Sequence, residues 1–452
     1  MTKLLKSWWA RFLFQDKGVL PTTRLLFVFL LLSLILCFGT VWNISWGYVI
    51  AANIIVFLIC LVDLLFSPAK KQLFFQRSIA DELERGIPYT VKFEVQNSSV
   101  YPIRYQLVDS LPQTFERPFP IVGSIPKEAM AEISFDTTAR VRGKYELNKL
   151  YFRYTSLLGM WEKQVTVELK DSVKVIPDLT ETKQYLENAQ KYLVYEGLKI
   201  RRQRSGVGDF SKIRNYVVGD DPRKINWRQT AKLQEVMTNE YEPEHGKYIT
   251  ILIDCGRRMG AELSKGNRLE KTLEAALTVT AAALQKGDYV SVLAFSKNIK
   301  VYVPPAKGMA HLKTILQAIY DVKVDSAESN YAAVLQYLEK VQNKRSLLLL
   351  FSDIRTFLHE ESALVLLKRL RKRHLFLMIG IEDQTLLRRV KEEPNSLLTA
   401  MRKSIAQQQI LIKKREKIKW EKQGLQMIEA SEDKLAVTAV SHYIEIINQN
   451  LL

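Results

Sequence analysis

Two adjacent carboxylates, Asp220 and Asp221, stand in the run Gly219-Asp220-Asp221-Pro222-Arg223, with Trp227 and Arg228 a few residues on. Carboxylates set beside arginines can receive a partner or move protons. Neighbouring residues point in different directions, however, which makes a poor catalytic pair. The simpler reading is a turn whose aspartates cap Pro222–Lys232, with Ile225 and Trp227 anchoring it in the core. Three more candidates, Asp254, Ser296 and Asp353, close or follow apolar runs. Ligands of parallel sheets gather at such strand C-terminal ends. The remaining chemistry is sparse. The 5 histidines, His245, His311, His359, His374 and His442, have no ligand spacing. Cys255 has no nearby histidine and reads as a small apolar residue. Arg201, Arg202 and Arg204, with Gly206 and Gly208, make a basic approach to the Asp220 region without Walker spacing.

The elements that must hold these residues change in kind along the chain. YITILID (Tyr248–Asp254), YVSVLAF (Tyr289–Phe295), SLLLLFSD (Ser346–Asp353) and HLFLMIGIED (His374–Asp383) are apolar runs of strand length. Helical patterns separate them, at about Arg268–Lys286, Ala310–Tyr320 and Glu360–Arg373, and a last strand near Gly424–Glu429 precedes a closing helix. Continuous apolar strands alternating with amphipathic helices predict a mainly parallel sheet covered on both faces. A helical connector over Thr180–Lys199 precedes this α/β part. Upstream, from Leu73 to about Pro177, short segments alternate at period two, among them Tyr89–Asn97, Ile103–Asp109, Ala131–Val141, Lys149–Thr155 and Lys163–Leu169. Turn formers separate them, which predicts a two-sheet, immunoglobulin-like β-sandwich.

The N-terminal region follows other rules. Leu25–Trp42 and Tyr48–Phe66 are apolar runs of about 18 to 19 residues, long enough to cross a bilayer as helices. Trp42, Trp46 and Tyr48 flank the short link Asn43–Gly47, a setting that suits the headgroup zone. Lys3, Lys6, Arg11, Lys17 and Arg24 precede the runs, and Lys70 and Lys71 follow them. Positive charge at both open ends predicts a hairpin in an inner or plasma membrane, with both ends cytoplasmic. Asp63, near the end of the second run, reads as reaching headgroups or water. The chain of 452 residues carries a net charge of +18, yet its soluble part lacks basic stripes interleaved with aromatics, so nucleic acid is not an expected partner. The 3 cysteines form no disulfide framework. The basic run Lys413–Lys422, carrying Ile418 and Trp420, reads first as a solvated helix face and second as a membrane or acidic-partner contact.

Asp254 at a strand end, a helix after it, and Phe351-Ser352-Asp353 resemble a von Willebrand factor A-like domain. RNYVVGDDPRKINWRQTAK (Arg214–Lys232) resembles the signature of the bacterial domain-of-unknown-function family fifty-eight, DUF58. ARVRGKYEL (Ala139–Leu147) and SLLGMWE (Ser156–Glu162) are similar to the same family's upstream β region. The resemblance implies a membrane protein associated with a MoxR-type AAA+ ATPase. It also implies an Mg²⁺ site of D-x-S-x-S type, completed by a threonine and a second aspartate. Here the loop reads Asp254-Cys255-Gly256-Arg257-Arg258, so both serines are missing and Arg258 brings a fixed positive charge. Asn330 takes the threonine position in this alignment, and Asp353 the second aspartate. The site is therefore a degenerate MIDAS, with no cofactor expected and Mg²⁺ disfavoured. Asp254 and Asp353 are expected either to pair with Arg257, Arg258 or Arg355, or to leave an arginine free to receive an acidic group from a partner.

These readings combine into five regions: a basic N-terminus (1–24), a transmembrane hairpin (25–66), a β-sandwich (73–178), a connector with the signature (179–247) and an α/β domain (248–452). The expected function is a membrane-anchored, non-enzymatic scaffold or adaptor. Its binding residues would be Gly219, Asp220, Asp221, Arg223, Trp227, Asp254, Arg258, Asn330 and Asp353. The alternative is an envelope-related hydrolase using the Asp220/Asp221 region.

Overall fold

An apolar run long enough to span lipid favours helix, because a helix satisfies its backbone groups within the segment itself. The computed structural model describes residues 17–41, 46–196, 209–242, 246–264, 266–358 and 360–449. The chain divides into two units, Met1–Ile176 and Pro177–Leu452. Lys3, Lys6, Arg11, Trp42, Asn43, Arg201, Arg202, Arg204, Gly206, Gly208, His245 and His359 lie outside the described residues.

The first unit opens with strand β1 (Lys17–Pro21), then helices α1 (Thr23–Val41) and α2 (Trp46–Leu65). Among the described residues, one helix, α2 with its continuation to Gln72, is long and apolar enough to cross a membrane. Sequence alone makes residues 17–21 part of a basic flank. They form instead an edge strand antiparallel to β9, from Lys17 opposite Val165 to Pro21 opposite Trp161. The remaining strands are β2 (Leu73–Ser78), β3 (Glu82–Glu84), β4 (Pro88–Asn97), β5 (Ile103–Asp109), β6 (Ile121–Ile125), β7 (Ala129–Thr138), β8 (Gly143–Thr155) and β9 (Trp161–Ile176). They make a sheet of order β1-β9-β8-β5-β6, with β3 beside β9, and a second sheet of order β2-β4-β7. Period-two alternation sends Val91, Phe93 and Val95 of β4 inward, where they meet Leu107, Phe152 and Val173 of the other sheet in one core.

The second unit begins with α3 (Thr180–Glu196), then the hairpin β10 (Asp209–Asn215) and β11 (Met237–Glu242), with α4 (Trp227–Leu233) between its strands. β12 (Tyr248–Asp254) leads through the small hairpin β13 (Glu262–Leu263) and β14 (Gly266–Asn267) into α5 (Arg268–Gln285). Then come β15 (Tyr289–Phe295), β16 (Ile299–Ala306), α6 (Met309–Ile319), α7 (Tyr331–Val341), β17 (Ser346–Phe351), α8 (Ile354–Leu358) and α9 (Glu361–Leu370). β18 (Leu375–Ile381), α10 (Gln384–Lys391), α11 (Leu397–Glu421), β19 (Gln426–Ala430) and α12 (Leu435–Asn448) complete it. The six-stranded sheet has the order β16-β15-β12-β17-β18-β19. Its pairs are parallel except β15 with the edge strand β16. Both faces are covered, so the strands are apolar throughout. Ile251 and Ile253 of β12 face one core with α5 and α12, while Leu252 faces the other with α7 and α9.

Candidate functional site

The parallel register brings the C-terminal ends of β12, β15 and β17 side by side, with Ile253 opposite both Ala294 and Phe351. Asp254 ends β12 and is 1% exposed. Its Oδ1 accepts the Gly256 N–H at 2.8 Å and the Ser329 hydroxyl. Its Oδ2 accepts the Tyr331 hydroxyl at 3.0 Å and the Ser352 hydroxyl, and the Tyr331 and Ser352 hydroxyls lie 2.8 Å apart. Four donors thus face the four lone-pair positions of one carboxylate. Burial pushes the Asp254 pKa up, and hydrogen bonds from Ser329, Ser352, Gly256 and Tyr331 oppose it. Burial, and then the Asp254 charge, raises the Tyr331 phenol well above its ordinary value, which keeps it a donor.

Gly256 is part of this arrangement. A Cβ there would run into Ser329 Oγ. The hydroxyl absent from the loop after β12 is replaced by one from the loop before α7, and only glycine leaves room for it. The segment that carries Ser329 is tied across the strand ends by backbone bonds: Asp325 N–H to Cys255 O at 2.7 Å, Arg257 N–H to Ala327 O at 2.9 Å and Asn330 N–H to Ser296 O at 2.9 Å. Asn330 itself caps α7, accepting the Ala333 N–H at 3.0 Å. Ser296 donates to Asp325 at 2.8 Å, and Lys300 pairs with the same carboxylate at 2.8 Å. The Lys300 and Ser296 contacts hold the Asp325 pKa below the usual carboxylate range.

Asp353 follows β17 and belongs to a second network. Arg268, at the start of α5, reaches Asp353 at 3.1 Å and Asp383 at 3.8 Å, and Arg355 pairs with Asp383 at 2.9 Å. Asp383 also caps α10 through the N–H groups of Thr385 and Leu386. Sequence expectation gave the two aspartates to Arg257, Arg258 or Arg355. Asp254 instead takes hydroxyls and Arg257 pairs with Glu328. Asp353 does lie 3.9 Å from Arg355, as expected, but its closer and buried partner is Arg268. Arg258 is exposed and lines an open 550 Å³ hollow with Glu328, Arg355 and Glu416. Arg268→Ala is expected to cost about 3 kcal/mol, because two partly desolvated carboxylates lose their shared cation. Thermal unfolding checks it, and Arg268→Lys should recover little, since one ammonium cannot fork to both.

The Gly219–Arg223 signature is a turn as expected, with corrections to its caps and to its anchoring. Asp220 is gripped by Arg214 at 2.8 Å to each oxygen and also accepts the Val217 N–H at 3.0 Å. Gly219 sits at φ 110, a conformation that costs a side chain dearly. Asp221 caps the short 3-10 turn Pro222–Lys224 through the Arg223 N–H at 3.0 Å, and Asn226, not an aspartate, caps α4. The two carboxylates therefore have separate structural partners. Trp227 does not anchor the segment in the core. It is 70% exposed, and Val217, Val218 (96% exposed), Leu233 and Val236 are also exposed in this hairpin. Arg223, Arg228 and Lys232 stand exposed in the same segment. Sequence reasoning missed Ser329, Tyr331 and Ser352. The available signal was the hydroxyl-bearing pair flanking Asn330 and the serine preceding Asp353.

Among the described residues, no group of three or more His, Cys, Asp and Glu side chains is placed to hold a metal ion. The second unit is thus an α/β sheet with a hydroxyl-locked aspartate at its strand ends and a capped Gly-Asp-Asp hairpin beside it in sequence. Residues 212–391 match the family model described as "Protein of unknown function DUF58", a range that includes the Gly-Asp-Asp turn, Asp254 and Asp353. The uncharacterized protein YeaD of Bacillus subtilis (strain 168) is 24% identical over 268 residues, 56% of this chain. The match spans 63% of that relative's length. Among solved structures, BatB from Bacteroides thetaiotaomicron is similar at 13% identity and a TM-score of 0.31, over 45% of this chain and 100% of that one. A PapD-like domain of human CEP192 is similar at 16% identity and a TM-score of 0.19, over 24% of this chain and 88% of that domain.

Proposed function

We propose that this protein is a membrane-anchored scaffold that binds another protein through its second unit, a von Willebrand factor A-like domain with a degenerate metal site. In this reading α1 and α2 form a two-span anchor, and the β-sandwich and α/β units face the cytoplasm of a bacterium. The observation that carries the binding role is the exposed apolar and basic surface of the Gly-Asp-Asp hairpin. Trp227, Val218 and Leu233 are left in solvent beside Arg223, Arg228 and Lys232. Tryptophan and arginine together are the residues that most often anchor protein interfaces. The turn beneath them is held rigidly by the Arg214–Asp220 fork, so the surface is presented ready-made.

A partner rich in acidic and apolar side chains fits this surface, and the family resemblance makes a MoxR-type AAA+ ATPase the leading one. Binding should not require Mg²⁺. The carboxylate that would hold the ion is occupied by four protein donors. Co-purification of the detergent-solubilised protein, with and without Mg²⁺, tests this. Retention of a AAA+ ATPase by wild type in both conditions, and its loss in Trp227→Ala, is the expected result. Retention that depends on Mg²⁺ overturns the degenerate-site reading, and retention unaffected by Trp227→Ala overturns the proposed surface.

A further inference from the structure

The turn that joins β8 to β9 is built like a piece of membrane protein. Asp63 lies in the last turn of α2 and is buried. Its Oδ2 accepts the Ser156 hydroxyl at 2.6 Å and the Met160 N–H at 3.4 Å, and its Oδ1 accepts the Leu158 N–H at 2.8 Å. The Trp161 indole donates to Cys60 O at 2.8 Å, and the Thr22 hydroxyl, at the base of α1, donates to Gly159 O at 2.7 Å. Both apolar helices are thereby fastened to the same six residues. The turn closes on itself too. Ser156 N–H donates to Trp161 O at 2.7 Å, Gly159 N–H to Ser156 O at 3.0 Å, and Trp161 N–H to Ser156 Oγ at 2.9 Å.

Five of the six backbone N–H groups of Ser156–Trp161 therefore have protein acceptors. A turn in water has no need of this, because solvent would serve. A turn in lipid must satisfy its backbone internally. The side chains agree. Leu157 and Leu158 at the tip are about half exposed, and with Ile55, Leu58, Ile59, Val62 and Phe66 of the α2 segment they line an open apolar groove of about 350 Å³. Ile55 lies about three turns above the end of α2, so at 1.5 Å per residue the groove reaches roughly 15 Å along the helix.

We propose that the β8–β9 turn is a membrane wedge: Asp63 holds it against α2, Leu157 and Leu158 enter the acyl region of the bilayer, and a lipid acyl chain fills the groove. The proposal rests on the membrane reading of α1 and α2. It changes the role of Asp63, which reaches neither water nor headgroups but supplies the acceptor that lets a β-turn enter lipid. The wedge would also fix the depth of the sandwich relative to the membrane surface.

The test uses the full-length protein with Cys37, Cys60 and Cys255 replaced by alanine. A single cysteine is introduced by Leu158→Cys, Ile55→Cys or Lys144→Cys and labelled with a nitrobenzoxadiazole thiol probe. Lys144 is exposed near the far end of β8, about 35 Å from Thr155 at strand rise. Each protein is reconstituted into phosphatidylcholine vesicles with or without bromine in the upper half of the acyl chains. Expected is bromine quenching at Ile55→Cys and, to a similar degree, at Leu158→Cys, with none at Lys144→Cys. Quenching at Ile55→Cys alone overturns the wedge while leaving the anchor intact. Absence of quenching at Ile55→Cys overturns the anchor reading itself. Adding Asp63→Asn, or Ser156→Ala if that variant does not reconstitute, should reduce quenching at Leu158→Cys and spare Ile55→Cys. Unchanged quenching would remove Asp63 from the proposal.

Discussion

Asp254→Ala is expected to lower the stability of the second unit by about 3–5 kcal/mol, as a loss of several buried hydrogen bonds to one charged acceptor implies. The Ser329, Tyr331 and Ser352 hydroxyls and the Gly256 N–H would lose their common acceptor in a site 1% exposed. Tyr331 and Ser352 can turn toward one another, which softens the loss; Gly256 N–H cannot turn. Asp254→Asn should cost markedly less, because hydroxyls can reverse from donor to acceptor opposite the new amide. In a unit of this size each kcal/mol moves the thermal midpoint by roughly 2–4 °C, so the alanine variant should melt about 10 °C lower. The pH dependence separates charge from shape. Burial raises the Asp254 pKa, so the native protein keeps this proton to higher pH than the unfolded chain does. Its ionisation therefore removes stability as pH rises from about 4, and Asp254→Asn should flatten that slope. A midpoint for Asp254→Ala within 2 °C of wild type would mean that the hydroxyl network contributes nothing.

The contrast between what the sequence discloses and what it hides follows from the range of the interactions. Tyr248–Asp254 and Tyr289–Phe295 can be read as strands because burial on both faces forces every side chain to be apolar, a local signal. Asp254 can be picked out as a strand-end carboxylate for the same reason. Its partners cannot, since Ser329 and Ser352 are 75 and 98 residues away and nothing in their neighbourhood announces the contact. The missing loop serine is visible in sequence, but not that Ser329 occupies the vacated space. Trp227 misleads in a different way. A tryptophan beside Ile225 in a short capped segment reads as a core anchor on averages, and only the fold shows that α4, a helix of seven residues, turns it outward. Asp63 looked interfacial from its distance to the end of the apolar run. Its burial depends on a turn almost a hundred residues further on, which closes over it.

In the sandwich the largest single effect should come from Arg77→Met. The side chains of Arg77 and Asp109 are both 0% exposed and meet at 2.6 Å, with further donation from Arg77 to Asp171 at 2.9 Å and to Leu147 O at 2.9 Å. The guanidinium also lies 5.5 Å from the Phe93 ring centre. Methionine keeps most of the stem but strands the Asp109 carboxylate in the core, a change that typically costs about 3–5 kcal/mol. Burial already raises the Asp109 pKa against the pull of Arg77. Without the arginine that pKa rises further above the unfolded value, so stability is retained at low pH and lost as pH rises through the native pKa. The deficit of Arg77→Met should accordingly shrink when unfolding is measured near pH 4 instead of pH 7. Arg77→Met/Asp109→Leu should recover most of the loss at pH 7, because it removes both desolvated charges together. The pair is imperfectly satisfied in any case: Arg77 Nε and Asp109 Oδ2 are buried without hydrogen-bond partners among the described residues. A double variant as unstable as Arg77→Met would show instead that Arg77 matters for its reach across the sheets to Leu147 and Asp171, and that charge compensation is secondary.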